Sequence, residues 1–504
     1  MTTTKHTRWL GLAVLILPTL LVSMDTSSLY LAIPRLSEQL QPSASQLLWI
    51  IDIYAFLLAG LLITMGNIGD RIGRRKLLMI GAGVFGAASL AAAFSPSANV
   101  LIATRALMGV GGATLMPSTL SLIRSLFDDP VERGRAIGIW AAGFSGGAVL
   151  GPIIGGVLLE FFDWGAIFLI NVPVVVLLII VAPMLLPEYR QRQPEPLDFF
   201  SVLLALGGLL PLMYALKHIA ETQSVSAAIV ALAVLGAVLL IVFVHRQFTI
   251  PGPLIDPELL RNKIFRTAIV AGTMALFAIV VGSFFAAQYF QMVLGYSPLI
   301  AALLGVPSAI VVGTGSVIAP ALAKRFGLER TVRIAFTSGA LGLVVYSLTG
   351  LSHPWLVVLG SSLTGAGLSV VLTLGTDLVV TAAPKERAGA ASALSETGIE
   401  LGAALGIAVL GSLGAFVYSQ RVQDANLGSL VGPSGSKLET TLANALQVLP
   451  NLPAHTHEAV LNVVQPAFVR GMSAATLVGA AITLALAWFV PRWLRRATAN
   501  EQRK

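Results

Sequence analysis

The sequence predicts an all-α integral membrane protein with fourteen transmembrane helices. Of its 504 residues, 56% are hydrophobic and only 11% are charged, whereas a soluble chain carries about 25% charged residues. Mean hydropathy is +0.85. The apolar stretches run to about 20 residues, the length of helix that spans a ~30 Å hydrocarbon core. They lack the alternating segments of about ten residues that mark an outer-membrane barrel.

In chain order the helical windows lie near 10–32, 47–66, 77–95, 101–123, 136–158, 166–186 and 198–217, then 226–245, 264–292, 300–322, 332–350, 355–381, 390–416 and 472–491. The first follows a basic start (Lys5, Arg8) with no small-residue cleavage site after it, so it reads as a retained helix and not a signal peptide. Windows one to six form an N-terminal six-helix half, 1–190. Windows seven and eight, 198–245, read as an inserted pair. The Pro-rich segment 246–263 is a linker, and 264–500 holds the last six windows as a C-terminal half. An even helix count places both termini on one side. The 32 Lys and Arg fall on that side except for Arg35, Lys217, Arg421, Lys437 and Arg470 opposite, and Arg105 within a helix. By the positive-inside rule the termini are cytoplasmic. The long segment 417–471 then faces outward. In it Leu438, Leu442, Ala445, Leu446 and Leu449 keep helical spacing, and 456–469 offers a second short helix, so a helical hairpin over the outer mouth is expected.

The net charge of +8 is scattered through short loops, which argues for topology and not for a nucleic-acid partner. Cysteine is absent, excluding a disulfide framework, a thiolate metal site and a cysteine nucleophile. No His/Glu cluster or Ser–His pair lies at membrane depth, so metal sites and intramembrane catalysis are not expected. What the membrane segments do contain is acid: Asp25, Asp52, Asp377, Glu396 and Glu400. A charge there costs roughly 2.5–3.5 kcal/mol even on lenient scales, so each is a candidate for binding a cation or carrying a proton. Glu396 and Glu400 are spaced i, i+4 and share a helix face. Two acids so close do not both ionise cheaply, which lets one hold an exchangeable proton. Glu400 lies deeper and is preferred. Tyr54, Trp140 and Tyr289 are candidate aromatics for a cation pocket.

Four motifs go further. The second loop reads Gly66-Asn-Ile-Gly69-Asp70-Arg71-Ile-Gly73-Arg74-Arg75-Lys76, with glycines for a tight turn and Asp70 placed to pair with a nearby Arg or Lys. Helix 4 carries Arg105 ahead of Met108-Gly109-Val110-Gly111-Gly112. Helix 5 contains Gly147-Ala-Val-Leu-Gly151-Pro152-Ile-Ile-Gly155-Gly156, whose small residues four apart allow close helix approach. Helix 1 reads Met24-Asp25-Thr26-Ser27-Ser28-Leu29-Tyr30-Leu31-Ala32-Ile33-Pro34.

The second loop resembles the signature of the major facilitator superfamily, and helix 5 resembles the antiporter signature of its drug-exporting members. Helix 1, Trp49-Ile-Ile-Asp52-Ile-Tyr54, Trp164-Gly165 through Asn171-Val-Pro173, and Ser395-Glu396-Thr397-Gly398-Ile399-Glu400-Leu401-Gly402 are similar to the fourteen-helix drug/proton antiporters. That branch includes bacterial quaternary-ammonium and methyl-viologen efflux pumps. The chain departs from the pattern at Tyr30 and Leu31, and at Gly165, where an Arg is usual. A weaker second copy of the loop, Pro320 to Gly327, has Lys324 in place of the Asp.

The resemblance implies a two-half major facilitator fold in the bacterial cytoplasmic membrane, acting as a monomer. Proton entry would drive export of lipophilic cationic drugs, with no cofactor beyond the proton motive force. Asp70, Arg71 and Arg74 would latch the cytoplasmic gate, and Arg105 would assist proton movement. The alternative is a proton-coupled exporter or uptake carrier of an endogenous metabolite, peptide or siderophore.

Overall fold

The computed structural model describes residues 5–42, 44–189, 198–222, 225–250, 253, 257–384, 388–425, 438 and 442–501. The stretch 428–436 and part of the 246–263 linker lie outside these residues, as do the side chains of Asp52, Tyr30 and Leu31.

The described chain is a bundle of helices. The first group is α1 (Lys5–Leu40), α2 (Ala44–Ile72), α3 (Arg74–Ala93), α4 (Ala98–Leu126), α5 (Pro130–Phe161), the short α6 (Ala166–Leu169) and α7 (Asn171–Leu185). Next come α8 (Phe199–Thr222), α9 (Ala227–Gln247) and the short α10 (Pro257–Arg261). The last group is α11 (Lys263–Gln288), α12 (Pro298–Phe326), α13 (Leu328–Ser347), α14 (Pro354–Ala382), α15 (Ala388–Gly406), α16 (Ser412–Asp424), α17 (Leu442–Val448) and α18 (Ala454–Glu501). Wide-wound π turns extend α11 at Tyr289–Val293 and join α15 to α16 at Ile407–Gly411. The end of the bundle at which α1 starts is called the terminal face below.

Ten helices among the described residues are long and apolar enough to cross a bilayer, eleven when the bent α2 is counted as one. The other long elements are α8, α13 and α15–α16. Helix α13 opens with Glu329, Arg330 and Arg333, and α15 carries two acids amid its glycines, so neither offers a long charge-free window. Among the described residues the core forms two large clusters and a small one. One large cluster runs from Leu12 to Phe243 with Ala393 added, the other from Ala271 to Leu494, and the small one gathers Leu259, Phe265, Ala268, Val379, Ala383 and Ala391.

Glycine sets the tightest contacts. On α5, Gly147 and Gly151 lie against the backbone of α1, where an added Cβ would stand 2.7 Å from the Leu20 carbonyl and 2.9 Å from that of Met24. Gly155 continues the stripe at 3.0 Å from Ser28 Cβ, whereas a Cβ on Gly156 would meet nothing within 4 Å. So the helix 5 motif is a packing seam on α1. Pro152 lies within α5 and breaks none of this contact.

Helices α8 and α9 pack on each other through Gly208 and Gly236, and α8 reaches α2 by stacking Tyr214 on Trp49. Asp198, just ahead of α8, accepts two bonds from Arg246 of α9 at 2.9 and 3.1 Å. The outward segment differs from the sequence expectation in its second arm. Residues 456–469 form no separate helix but begin the 48-residue α18, since Pro466 sits within it without ending it. The first arm is α17, where Leu442 and Ala445, with Leu438 before them, are buried in the second core cluster. Tyr418 of α16 donates to the Leu438 carbonyl at 2.8 Å.

Two measurements test this packing. Gly151→Ala should destabilise the purified protein by about 1–3 kcal/mol through overpacking, while Gly156→Ala leaves its melting unchanged. The hydrogen bond from Arg246 holds the Asp198 carboxyl down at about 2, below its ordinary 3.8. A lowered folded-state value stabilises above the unfolded value and is lost as pH falls through the folded one. The difference in melting temperature between wild type and Asp198→Asn should therefore persist above about pH 4 and vanish near pH 2.

Candidate substrate and proton site

Asp25 lies on α1 beside the seam with α5, because Met24 and Ser28 take up the glycine stripe and turn their neighbour toward the middle of the N-terminal half. There it forms an ion pair with Arg105 of α4, both side chains about 1% exposed. The Arg105 Nε donates to the Ile50 carbonyl of α2 at 3.2 Å. Its guanidinium lies 4.6 Å from the Tyr54 ring centre and 5.8 Å from that of Phe168. Asn171, at the start of α7, donates to Asp25 Oδ1 at 3.3 Å and to Ser89 Oγ of α3 at 3.2 Å. Each side of the ion pair thus has its own support. A guanidinium between aromatic faces keeps its charge in a dry site, and the carboxylate is held by the cation and an amide.

The acids of the C-terminal half have different surroundings. Glu396 is 6% exposed, and its Oε1 has no hydrogen-bond partner. Glu400, one turn deeper, is half-buried on a helix that packs against α2, the helix of Tyr54. Helix α2 therefore adjoins both the buried pair of the first half and the acid helix of the second. Asp377 lies elsewhere. Near the terminal-face end of α14, it accepts from Arg133 of α5 at 3.4 Å and from Thr381 at 3.5 Å, with 24% of its side chain exposed.

That contact belongs to a seam between the halves. Arg133 also donates to Thr381 at 2.9 Å, and Arg124 of α4 donates to the Val380 carbonyl. Gly134 and Gly138 of α5 lie against Pro320 and Ser316 of α12. On α15, Ala393 is part of the first half's core. Each of these contacts is toward the terminal face.

The second-loop motif folds within its own half. Gly66 is buried in α2 one turn before Asp70. Asp70 accepts from Arg74 Nε at 2.8 Å, one turn further on. Between them Gly73 takes a φ of +108°, left-handed backbone that favours glycine, and starts α3. Arg74 lies 4.7 Å from the Tyr189 ring centre, and its backbone N–H donates to the Tyr189 carbonyl at 3.1 Å. Glu188 caps α3 by accepting from the N–H groups of Arg75 and Lys76 at 3.2 and 3.1 Å. Arg71 is half-buried beside this network. In the second copy Gly327 also has positive φ, +82°, and also starts the next helix. There Lys324 replaces the acid, so the turn is repeated without its ion pair.

Two of the three candidate aromatics stand apart from this centre. Trp140 is buried and donates to Thr119 Oγ1 at 3.1 Å, and Tyr289 is buried and donates to the Gly350 carbonyl at 2.8 Å. Sequence reasoning missed Asn171 as a ligand of Asp25, Glu188 and Tyr189 as braces of the loop, and Arg133 as the partner of Asp377. Their types are ordinary at helix ends, and only the fold brings them into contact. Among the described residues there is no group of His, Cys, Asp and Glu able to hold a metal.

Comparison with known proteins places this arrangement in a family. The profile described as Major Facilitator Superfamily matches residues 15–407. The chain belongs to the major facilitator superfamily. It is 39% identical to the multidrug efflux pump LfrA of Mycolicibacterium smegmatis, covering 98% of each chain. It is 35% identical to the methyl viologen resistance protein SmvA of Salmonella typhimurium, over 98% of this chain and 99% of that one. Among solved structures, the human organic anion transporter MFSD10 matches with a TM-score of 0.60 at 16% identity, covering 96% of this chain and 98% of that one. The proton:xylose symporter XylE matches with a TM-score of 0.57 at 15% identity, covering 97% of each. This superfamily member is a multi-pass membrane transporter and not an enzyme.

Removing one member of a buried ion pair strands the other, at a cost of about 3–5 kcal/mol. Arg105→Ala should therefore melt far below wild type, and Asp25→Leu combined with Arg105→Met should recover most of the loss in the same thermal scan.

Proposed function

We propose that this transporter is a proton-driven antiporter that exports lipophilic cations by alternating access. In this reading it has fourteen spans and cytoplasmic termini and works as a monomer in the bacterial cytoplasmic membrane. Halves 1–190 and 264–500 rock about the inserted pair 198–245 and the linker 246–263. The observation that carries the proposal is the placement of the acids. Arg105 neutralises Asp25, while Glu396 has a carboxylate oxygen without a partner and Glu400 is half-buried on the same helix. A lipophilic cation is drawn to the acids of α15. Relatives named for multidrug efflux and for resistance to methyl viologen, itself a cation, support the same substrate class.

The cycle follows from competition for the carboxylates. The seam of Arg124, Arg133, Asp377 and Thr381 closes the terminal face, so this conformation is read as open outward. Protons entering from outside discharge Glu400 and release the cation. A proton on Asp25 then frees Arg105, whose charge opposes rebinding of the cation until the halves have rocked inward. Inside, proton loss restores the Asp25–Arg105 pair and recharges α15 for the next cation. Asp377 serves the seam and not the substrate.

In everted membrane vesicles holding a preformed pH gradient, ethidium or a quaternary ammonium compound should collapse the gradient with wild-type protein. Asp25→Asn and Glu400→Gln should abolish that response at equal expression. A response retained in Asp25→Asn but lost in Glu400→Gln would move coupling to α15 alone. No response in wild type would favour export of an endogenous metabolite.

A further inference from the structure

The glycine stripe of α5 has a counterpart in the other half. On α15, Gly398, Gly402 and Gly406 lie against α11 as Gly147, Gly151 and Gly155 lie against α1. An added Cβ would stand 2.8 Å from Thr273 Oγ1 at Gly398, 2.9 Å from the Thr273 carbonyl carbon at Gly402, and 3.1 Å from that of Phe277 at Gly406. Thr273 and Phe277 are one turn apart, as are Leu20 and Met24 in the first half. The stripe ends where the helix opens into the π turn 407–411, and a Cβ on Gly411 would meet nothing closer than 3.7 Å.

This stripe is interleaved with the acids. Two residues along a helix correspond to a rotation of about 200°, so Glu396 and Glu400 point away from α11 when Gly398 and Gly402 point into it. The stripe thereby turns both carboxylates toward α2 and α4. Two other observations agree with that orientation. The Glu396 Oε1 is buried and unpartnered, and α15 packs against both α2 and α4.

We propose that Gly398 and Gly402 are positioning residues, which fix where Glu396 and Glu400 stand by locking α15 onto α11. The proposal rests on the reading of α15 as the exchange helix. Gly402 leaves room for the Thr273 backbone and Gly398 for the Thr273 hydroxyl, so the helix resists rolling and the carboxylates keep their setting. Among the described side chains, the charged or titratable groups on the elements packed around them include Tyr54, Asp70 and Arg71 on α2, Arg105 and Arg124 on α4, Tyr214 on α8, Asp377 near the terminal end of α14, and Lys263 and Arg266 at the start of α11. A roll of α15 changes its distance to all of these together.

The test reads the carboxyls directly. Infrared difference spectra of the purified protein in nanodiscs give titration midpoints for the two acids, assigned by the bands lost in Glu396→Gln and Glu400→Gln. Gly398→Ala and Gly402→Ala should each move a midpoint by about half a unit or more, while Gly411→Ala leaves both in place. Because the conflict at Gly398 is with a hydroxyl, adding Thr273→Ala to Gly398→Ala should bring the midpoint back. Unmoved midpoints in folded Gly398→Ala and Gly402→Ala would overturn the proposal, as would an equal shift in Gly411→Ala. If Gly402→Ala does not fold, Gly398→Ala with its Thr273→Ala rescue decides alone. Moved midpoints together with no substrate response in vesicles would leave the positioning role standing and remove the antiport reading.

Discussion

The ion pair between Asp25 and Arg105 is the interaction on which the N-terminal half depends. Neither charge has access to water, and each is expensive to bury alone. Together they draw on α1, α2, α3, α4, α6 and α7, since Ile50, Tyr54, Ser89, Phe168 and Asn171 all support one member or the other. Helix α5 takes part from behind by fixing the depth and rotation of α1. Well-packed apolar groups would hold such a core at least as firmly. A pair that gives no clear stability advantage suits the role in proton exchange proposed above.

Glycine contacts recur through the rest of the bundle. Within each half, glycine brings backbones into direct contact, at Gly147 and Gly151 on α1 and at Gly402 and Gly406 on α11. Between the halves a glycine contact of the same kind, Gly138 of α5 on the Ser316 backbone of α12, stands beside single side chains: Arg124 and Arg133 reach for a carbonyl, a carboxylate and a hydroxyl.

Much of this was legible in the sequence. Apolar windows located the long helices because burial in lipid demands them, and the glycine spacing of helix 5 announced a helix seam. The acids and Arg105 stood out because membrane segments tolerate charge so poorly. What could not be read was partnership. Nothing near Asp377 in the chain points to Arg133, 244 residues away, and Glu188 looks like any loop acid until it caps α3. Trp140 and Tyr289 were legible as aromatic, but their local hydrogen bonds to Thr119 and Gly350 were not. The start of α18 was misplaced because the apolar window opens only at 472, whereas the helix continues unbroken through Arg470 and Gly471 from Ala454.

The small α17 makes its end of the bundle asymmetric. Its buried residues belong to the second core alone, and α18 rises directly from the same segment. A rim fastened to one leaf of a structure travels with that leaf. In the cycle proposed above, α17 therefore moves with the second half, and a binder that pins it to the first would act as a wedge without touching the charges at the centre.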